Sequence, residues 1–206
     1  MQNVVPIEAA LADRALAGRR EQYAQEVRRL IDAAFTVTRR TGALEPSVRD
    51  IVREAGLSNQ AFYRHFPSRD ALLFAVLADG RRQLVEYLAH RIATTDDPEE
   101  QLRHYVDGIM AQARDRDAAE ATRPFASNAN RLAASFPDEV AASRAQLLDI
   151  LRPPVLALGG RDSDVGLIHD LTMARMYDAL MQRRVPDAGE VDALVHFCRG
   201  GIANGA

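Results

Sequence analysis

The stretch Ser47–Phe66, SVRDIVREAGLSNQAFYRHF, contains two short helical patterns that a Gly-Leu-Ser turn at 56–58 separates. Three apolar residues recur at helical spacing in the first pattern: Ile51, Val52 and Ala55. This spacing predicts a short amphipathic helix, after which Gly56 suits a left-handed backbone. Ser58 is a good N-cap for a second helix. We therefore expect two helices joined by a tight turn, which is the helix-turn-helix pattern.

The second helix of this pattern has two faces of different character. Phe62 and Phe66 stand four residues apart, so they share one face, which we expect to pack against the other helices. Tyr63, Arg64 and His65 are then expected closer to the outside. The phenylalanines thus anchor the helix, and the polar residues are available for recognition.

The leading end of the same helix carries small hydrogen-bonding side chains: Ser58, Asn59 and Gln60. In DNA-binding helix-turn-helix proteins the second helix lies in the major groove with its N-terminal residues on base edges. Side-chain amides suit adenine, and Ala61 can touch a thymine methyl group. These residue types in this order favour DNA recognition by residues 58–65.

The composition fits a globular protein in a reducing compartment. Charged residues make up 27% of the 206 residues, and the single cysteine, Cys198, excludes an internal disulfide. No apolar run approaches the roughly 20 residues that a membrane-spanning helix needs, and the N-terminus lacks the pattern of a signal peptide. We expect a cytoplasmic protein without a membrane partner.

The net charge of −3 does not by itself suggest nucleic acid, but its distribution is uneven. The first 70 residues hold eleven arginines and nine acidic residues, a net charge of +2, whereas the remainder carries −5. The basic surplus lies around the helix-turn-helix pattern. It is modest, so it adds only weak support for a surface that faces phosphate.

Helical spacing of apolar residues continues along nearly the whole chain, and no alternating strand pattern interrupts it. We expect an all-α protein of about nine helices, the first from about Glu21 to Arg40. Residues 21–68 are predicted to form a small three-helix helix-turn-helix domain. Residues 69–206 are predicted to form a larger C-terminal bundle for ligand binding and dimerisation.

Residues 1–20 form an N-terminal extension before the first strong helical pattern and include three arginines: Arg14, Arg19 and Arg20. These side chains could form an arm that reaches into the minor groove of DNA. A loosely ordered tail is the alternative, and it is the interpretation we favour.

The segment Arg28–Leu77 resembles the DNA-binding segment of TetR-family transcriptional regulators. The resemblance lies in short motifs, namely Ala-Ala-Phe in the first helix, Ser-Val-Arg-Asp-Ile, Ala-Gly-Leu-Ser, Phe-Tyr followed by His-Phe, and Ser-Arg-Asp-Ala-Leu. It covers about a quarter of the chain. Pro46-Ser47 stands where the family usually has two threonines, and Asn59 stands where a basic residue is usual. We therefore expect this protein to recognise an operator sequence that is particular to it.

The resemblance implies a homodimeric repressor whose N-terminal domain binds a palindromic operator and whose C-terminal domain binds a small-molecule effector. By position, Arg49 resembles a residue that reaches a base or a phosphate, Arg69 a phosphate clamp and Ser47 a polar residue near phosphate. The residues at recognition-helix positions that commonly touch DNA are Asn59, Gln60, Ala61, Tyr63 and His65. The resemblance also implies a dimer interface in the closing helices, at about residues 164–199.

The larger bundle offers candidates for lining an effector pocket: Tyr105, Met110, Phe125, Asn128, Leu132, Met173 and Tyr177. Their apolar character suggests a lipid-like or aromatic effector. For the six apolar or aromatic residues, a place in the packed core is the simpler interpretation, and for Asn128 the alternative is an ordinary surface helix.

No nucleophile, acid–base or phosphate-loop pattern occurs, and no histidine stands three or four residues from another histidine or a cysteine. We therefore expect no catalytic site, no metal site and no cofactor. A repressor released by a ligand is the leading hypothesis. A constitutive DNA-binding regulator or activator without an effector pocket is the alternative, and a helical small-molecule enzyme or carrier is a weaker one.

Overall fold

The computed structural model describes residues 7–42 and 46–203, and the regular elements in these residues are all α-helices. The helices are α1 (Ile7–Thr41), α2 (Val48–Ala55), α3 (Asn59–His65), α4 (Arg69–Ile92), α5 (Pro98–Arg114), α6 (Arg116–Ser127), α7 (Ala129–Ser135), α8 (Pro137–Ala157), α9 (Asp162–Met181) and α10 (Ala188–Ala203). The predicted all-α class is confirmed. The described residues form one helix more than the nine or so that the sequence pattern indicates.

The additional helix lies in the segment between α5 and α8. The Asp115 side chain caps α6 by accepting a hydrogen bond from the backbone N–H of Ala118 at 2.8 Å. Alanine-rich sequence follows Asp115 and favours a helix despite the neighbouring charges. Asn128 then separates α6 from α7, so two short helices occupy this segment.

The first helix, α1, is longer than predicted because it begins at Ile7. The favoured interpretation of a loosely ordered tail is therefore wrong for residues 7–20, and residues 1–6 lie outside the described part of the chain. Good helix formers explain the extension, since alanine, leucine, arginine and glutamate dominate residues 8–21. Three exposed arginines lie on the extension, and their contact with a minor groove stays a prediction: Arg14, Arg19 and Arg20.

The chain divides into two compact units, and the division falls inside α4 between Val76 and Leu77. In the first unit α2 packs on α1, and α3 packs on both. Fully buried apolar side chains from all four helices form its core: Leu30, Ala34, Ile51, Phe62 and Leu72. The predicted domain limits at residues 20 and 68 stay predictions.

The second unit is a bundle built around α5, which packs against α6, α8, α9 and α10. Fully buried apolar side chains on α5 and α8 form the centre of its core: Leu102, Val106, Ile109, Leu151 and Val155. One polar pair, Tyr105 of α5 and His169 of α9, lies among them. Within the described residues, no helix combines the length and the apolar character that crossing a membrane requires.

Candidate nucleic-acid interface

The N-terminus of α2 is held by a side-chain cap at Ser47. The Ser47 hydroxyl oxygen accepts a hydrogen bond from the backbone N–H of Asp50 at 3.1 Å, and the hydroxyl donates to the Asp50 carboxylate at 2.7 Å. The donated bond is the main cause that lowers the pKa of Asp50 below its ordinary value. The predicted phosphate contact of Ser47 would thus use a hydroxyl that already caps α2. Arg49 lies exposed on the first turn of the same helix.

The turn between α2 and α3 requires the glycine that the sequence places there. Gly56 has φ 61° and ψ 38°, in the left-handed region, and the N–H of Leu57 donates to the carbonyl of Val52 at 2.9 Å. The guanidinium of Arg29, on α1, donates to the carbonyls of Ala55 and Gly56. A Cβ at Gly56 would lie 2.9 Å from a nitrogen of that guanidinium. The left-handed backbone conformation therefore selects glycine, and the Arg29 guanidinium would have to shift to admit a side chain.

The inward face of α3 is the one that the sequence predicts. The Ser58 hydroxyl oxygen accepts a hydrogen bond from the backbone N–H of Ala61 at 3.1 Å, which caps the helix. Phe62 is fully buried and Phe66 nearly so, and their rings lie 6.1 Å apart. The predicted anchoring of α3 by these two phenylalanines is confirmed.

The leading end and one side of α3 face outward. Asn59 and Gln60, in its first turn, are exposed, and 60% of Tyr63 is exposed one turn further on. Arg69, at the start of α4, is half-buried. Of the predicted DNA-contacting residues, seven lie exposed: Ser47, Arg49, Ser58, Asn59, Gln60, Tyr63 and Arg64.

Two of the predicted contact residues do not face outward. Ala61 is only 7% exposed, so the structure gives no support to its predicted contact with a thymine methyl group. The expectation that His65 lies towards the outside is wrong, because its side chain is completely buried. His65 follows Ala61 by four residues, so both lie on the same inward-facing side of α3. The signal in the sequence for this placement is that His65 follows Phe62, a residue predicted to face inward, by three positions.

The side chain that holds His65 is Glu26, a residue of α1 that sequence reasoning did not single out. One Glu26 oxygen, Oε2, accepts a hydrogen bond from Nε2 of His65 at 2.7 Å and another from the guanidinium of Arg64. The bond from His65, and then that from Arg64, lower the pKa of Glu26 to about 2. The carboxylate is therefore ionised throughout the physiological range. Nothing local in the sequence indicates this contact, since 38 or more residues separate Glu26 from its partners.

The predicted effector-pocket residues of the second unit lie in or against its core. Four of them are buried: Tyr105, Met110, Phe125 and Leu132. The other three are half-buried: Asn128, Met173 and Tyr177. The Asn128 amide donates to the carbonyl of Pro124 at 3.0 Å. The simpler interpretation, core packing, accounts for the burial of the first four, and effector contact stays a prediction for all seven.

Tyr105 has a polar partner inside this core. Its hydroxyl lies 2.7 Å from Nδ1 of His169. Burial raises the pKa of Tyr105, so the phenol keeps its proton and donates it to Nδ1. Burial, together with the charge of Arg144, lowers the pKa of His169 to about 4. The pair is therefore neutral at physiological pH.

A cleft of about 160 Å³ opens on the second unit, among residues of α4, α5 and α10. Its lining is mostly polar or charged: Arg91, Arg103, His104, Asp107, Arg114 and Asp192, with Ala188 and Val191. These charges already pair with one another, because Asp107 accepts from Arg91 at 3.1 Å and from Arg114 at 2.5 Å. Asp192 accepts from Arg103. None of the seven predicted pocket residues lines this cleft.

Residues 30–76 match the family model of bacterial regulatory proteins of the tetR family. This match spans α2, α3 and parts of α1 and α4. Over 80 residues, the chain is 38% identical to the HTH-type transcriptional regulator BetI of Stenotrophomonas maltophilia. The matched segment covers 38% of this chain and 41% of that protein. It is 33% identical to BetI of Brucella anthropi over 75 residues, 36% of this chain and 39% of that protein. The chain thus spans about two-fifths of the length of these curated relatives.

Solved structures share the fold over most of the chain. The transcriptional regulator FadR from Bacillus subtilis, in complex with stearoyl-CoA, superposes with a TM-score of 0.68 over 84% of this chain and 98% of that chain, at 18% identity. The fatty acid degradation regulator FadR from Bacillus halodurans has a TM-score of 0.66 over 86% of this chain and 96% of that chain, at 17% identity. At these identities the similarity establishes the fold.

Proposed function

Because the chain belongs to the tetR family of bacterial regulatory proteins, we propose that it is a DNA-binding transcriptional repressor that acts in the cytoplasm. The observation that carries this proposal is the outward face of α3. Asn59, Gln60 and Tyr63 lie exposed on a short helix that Ser58 caps and Phe62 anchors. Amides and a tyrosine hydroxyl at the leading end of a recognition helix suit base edges in the major groove. Arg49 and Arg69 are the proposed phosphate contacts.

We further propose that the repressor acts as a homodimer through α9 and α10, at about residues 164–199. Large apolar side chains stay exposed on these helices, since 67% of Leu167 and 68% of Phe197 are accessible in the single chain. Exposed apolar side chains of this size are typical of surfaces that a partner covers. A two-fold dimer would present two copies of α3 to the two halves of a palindromic operator.

The proposed effector is a small lipid-like or aromatic molecule that binds the second unit. Its support is the apolar character of the predicted pocket residues and the similarity of the fold to FadR from Bacillus subtilis, which was solved with stearoyl-CoA. The effector would release the operator only if it binds more tightly to the conformation that has the lower DNA affinity.

A constitutive regulator or activator without an effector pocket is the second candidate. The observation that favours it is the packing of the core, where Tyr105, Met110 and Leu132 are almost completely buried. A sensor must open space among such residues to admit a ligand. If a saturating concentration of effector left the affinity for the operator unchanged, this result would support the second candidate.

Fluorescence anisotropy tests the DNA-binding proposal, using the duplex upstream of the protein's own gene and a random duplex as control. Tyr63→Ala is expected to lose about 1–3 kcal/mol of specific binding, since it removes a side chain that faces the bases. Tyr87→Ala is the matched control, because Tyr87 is also exposed but lies on α4 in the second unit.

Equal losses in the two variants would show that Tyr63 has no special part in recognition. An upstream duplex bound no better than random DNA would require a search for the operator by selection from random duplexes. A selection without any enriched sequence would overturn the proposed function.

A further inference from the structure

The carboxylate of Glu26, on α1, binds two side chains of α3. Its Oε2 accepts from both Nε2 of His65 and the guanidinium of Arg64. Only 12% of the Glu26 side chain is exposed, although α1 is exposed on all sides from residue 13 to residue 25. From residue 13 onward, the carboxylate is thus the first strongly protected side chain on α1, and it is directed at the recognition helix.

The bond to His65 fixes the orientation of α3. A carboxylate accepts hydrogen bonds only, so Nε2 of His65 carries the proton. Nδ1 is buried with no hydrogen-bond partner among the described residues, so the bond from Nε2 to Glu26 is the imidazole's hydrogen bond to α1. The Tyr23 ring packs edge-on against the imidazole, with centroids 4.3 Å apart and an interplanar angle of 71°. Unlike the packing of Phe62, this bond is directional, so it restricts rotation of α3 about its own axis.

The bond to Arg64 changes the charge that α3 presents. The Arg64 side chain is 56% exposed and lies on the recognition helix, where an unrestrained guanidinium could reach a phosphate. Glu26 holds that guanidinium and compensates its charge. The neighbouring exposed side chains, Asn59, Gln60 and Tyr63, are uncharged at neutral pH. With Arg64 withheld, α3 therefore offers hydrogen bonds to bases more than charge to the DNA backbone.

We propose that Glu26 is a specificity-determining positioning residue: it seats α3 through His65 and withholds Arg64 from DNA phosphates. This inference rests on the proposed DNA-binding function. Contacts between cations and phosphates dominate binding to random sequence, whereas contacts to base edges discriminate between sequences. Withholding Arg64 lowers affinity for DNA of any sequence about equally, whereas the orientation of α3 that the His65 bond fixes serves the contacts to base edges. Glu26 therefore raises the ratio of the affinity for the operator to the affinity for random DNA.

The test measures binding to a selected operator duplex and to a random duplex by anisotropy at several salt concentrations. Glu26→Gln keeps a side chain of the same shape but removes the charge that restrains Arg64. It is expected to raise affinity for random DNA several-fold and to steepen the slope of log K against log salt by about 0.9, the value for one further phosphate contact. The ratio of operator to random affinity is expected to fall.

The matched control is Glu21→Gln, which removes the same charge from an exposed residue of α1 five positions earlier. This variant is expected to change the salt slope less than Glu26→Gln does. In the double variant Glu26→Gln, Arg64→Ala, the slope is expected to return to the wild-type value. A purely structural role for Glu26 predicts a different pattern, with weaker binding to both duplexes and no steeper slope.

Arg64→Ala alone provides a test that does not depend on the folding of the Glu26 variant. If Glu26 already withholds Arg64, this variant keeps the wild-type salt slope. A slope reduced by about 0.9 would mean that Arg64 contacts a phosphate in the wild type and would overturn the inference. If folded Glu26→Gln kept the wild-type salt slope while the wild type bound its operator normally, the inference about Glu26 would be overturned and the proposed function would stand. A wild-type protein that prefers no selected duplex would overturn the proposed function, and this inference with it.

Discussion

Glu26 in the first unit and His169 in the second both join two helices through polar side chains, but they do so in opposite electrostatic states. Glu26 stays ionised, because His65 and Arg64 donate hydrogen bonds to it and lower its pKa to about 2. His169 stays neutral, because burial lowers its pKa to about 4 and Tyr105 donates to its free ring nitrogen. The Glu26 contact keeps a negative charge beside the proposed DNA-facing surface, whereas the neutral Tyr105–His169 pair places no charge in the apolar core.

This difference indicates what each contact can control. A charge near the surface alters the field that a polyanion meets, so Glu26 can influence binding without being part of the interface. The neutral pair Tyr105–His169 inside the core adds no such field, so in the absence of an effector we expect it to act on stability. Three changes to the protein test the contacts described for the two units, and they follow in order of expected effect.

The largest expected effect is the pH dependence that His169 contributes. Its folded pKa of about 4 lies below the ordinary value of 6.5. Between these two pH values the unfolded chain binds a proton at His169 that the folded chain does not. Stability therefore falls as the pH decreases from 6.5 towards 4, by about 3 kcal/mol at most, and is fully present above this range. Arg144 and Arg81 act in the same direction as burial, and Asp170 opposes them.

Urea unfolding at pH 7.5 and pH 4.5 measures this effect when the wild type is compared with His169→Gln, which cannot titrate. The variant is expected to lose less stability than the wild type between the two pH values, because the titrating carboxylates are common to both proteins. His196→Gln is the control, since His196 is exposed on α10. An identical pH dependence in all three proteins would show that His169 titrates normally.

The turn between α2 and α3 gives the next effect. Gly56→Ala places a Cβ in a left-handed backbone and 2.9 Å from the guanidinium of Arg29, so we expect a loss of about 1–3 kcal/mol. Gly18→Ala is the control. Gly18 lies in an exposed part of α1 with open space around it, and alanine there is expected to add about 0.5–1 kcal/mol. Thermal unfolding that shows the same sign for both substitutions would contradict this account of the turn.

The smallest effect is expected from Tyr105→Phe, which removes the donor to His169 and keeps the ring. We expect a loss of about 1 kcal/mol, since Nδ1 of His169 then lies buried without a partner. The salt slope of DNA binding is expected to stay unchanged, in contrast to Glu26→Gln. Tyr177→Phe, at a half-buried tyrosine on α9, serves as the control for stability. A changed salt slope in Tyr105→Phe would break the division of roles between the two units.

Features that depend on neighbours in the sequence could be predicted from it. Ser58 caps α3, Gly56 adopts the left-handed conformation, and Phe62 and Phe66 turn inward because each depends on spacing within one turn or one helix. The all-helical class follows from apolar spacing in the same way. These elements position the proposed recognition surface.

Features that depend on distant residues could not be predicted. The hydrogen bond that holds His65 needs Glu26, which lies 39 residues earlier, and the neutral pair of the core needs Tyr105 to meet His169 from another helix. The length of α1 was missed for a different reason. Residues 13–20 of α1 are all exposed, so apolar periodicity does not mark this part of the helix, and strong helix formers extend α1 to Ile7.

Selection of bound duplexes from a random pool by the full chain directly tests whether α3 reads DNA as one half of a dimer. We expect enrichment of a palindrome whose half-sites lie about 10 base pairs apart, or a multiple of that spacing, because two copies of α3 must reach successive major grooves. We also expect Tyr63→Ala to weaken the enrichment. Enrichment of no sequence, or of the same sequences with equal strength by the Tyr63 variant, would contradict the proposal.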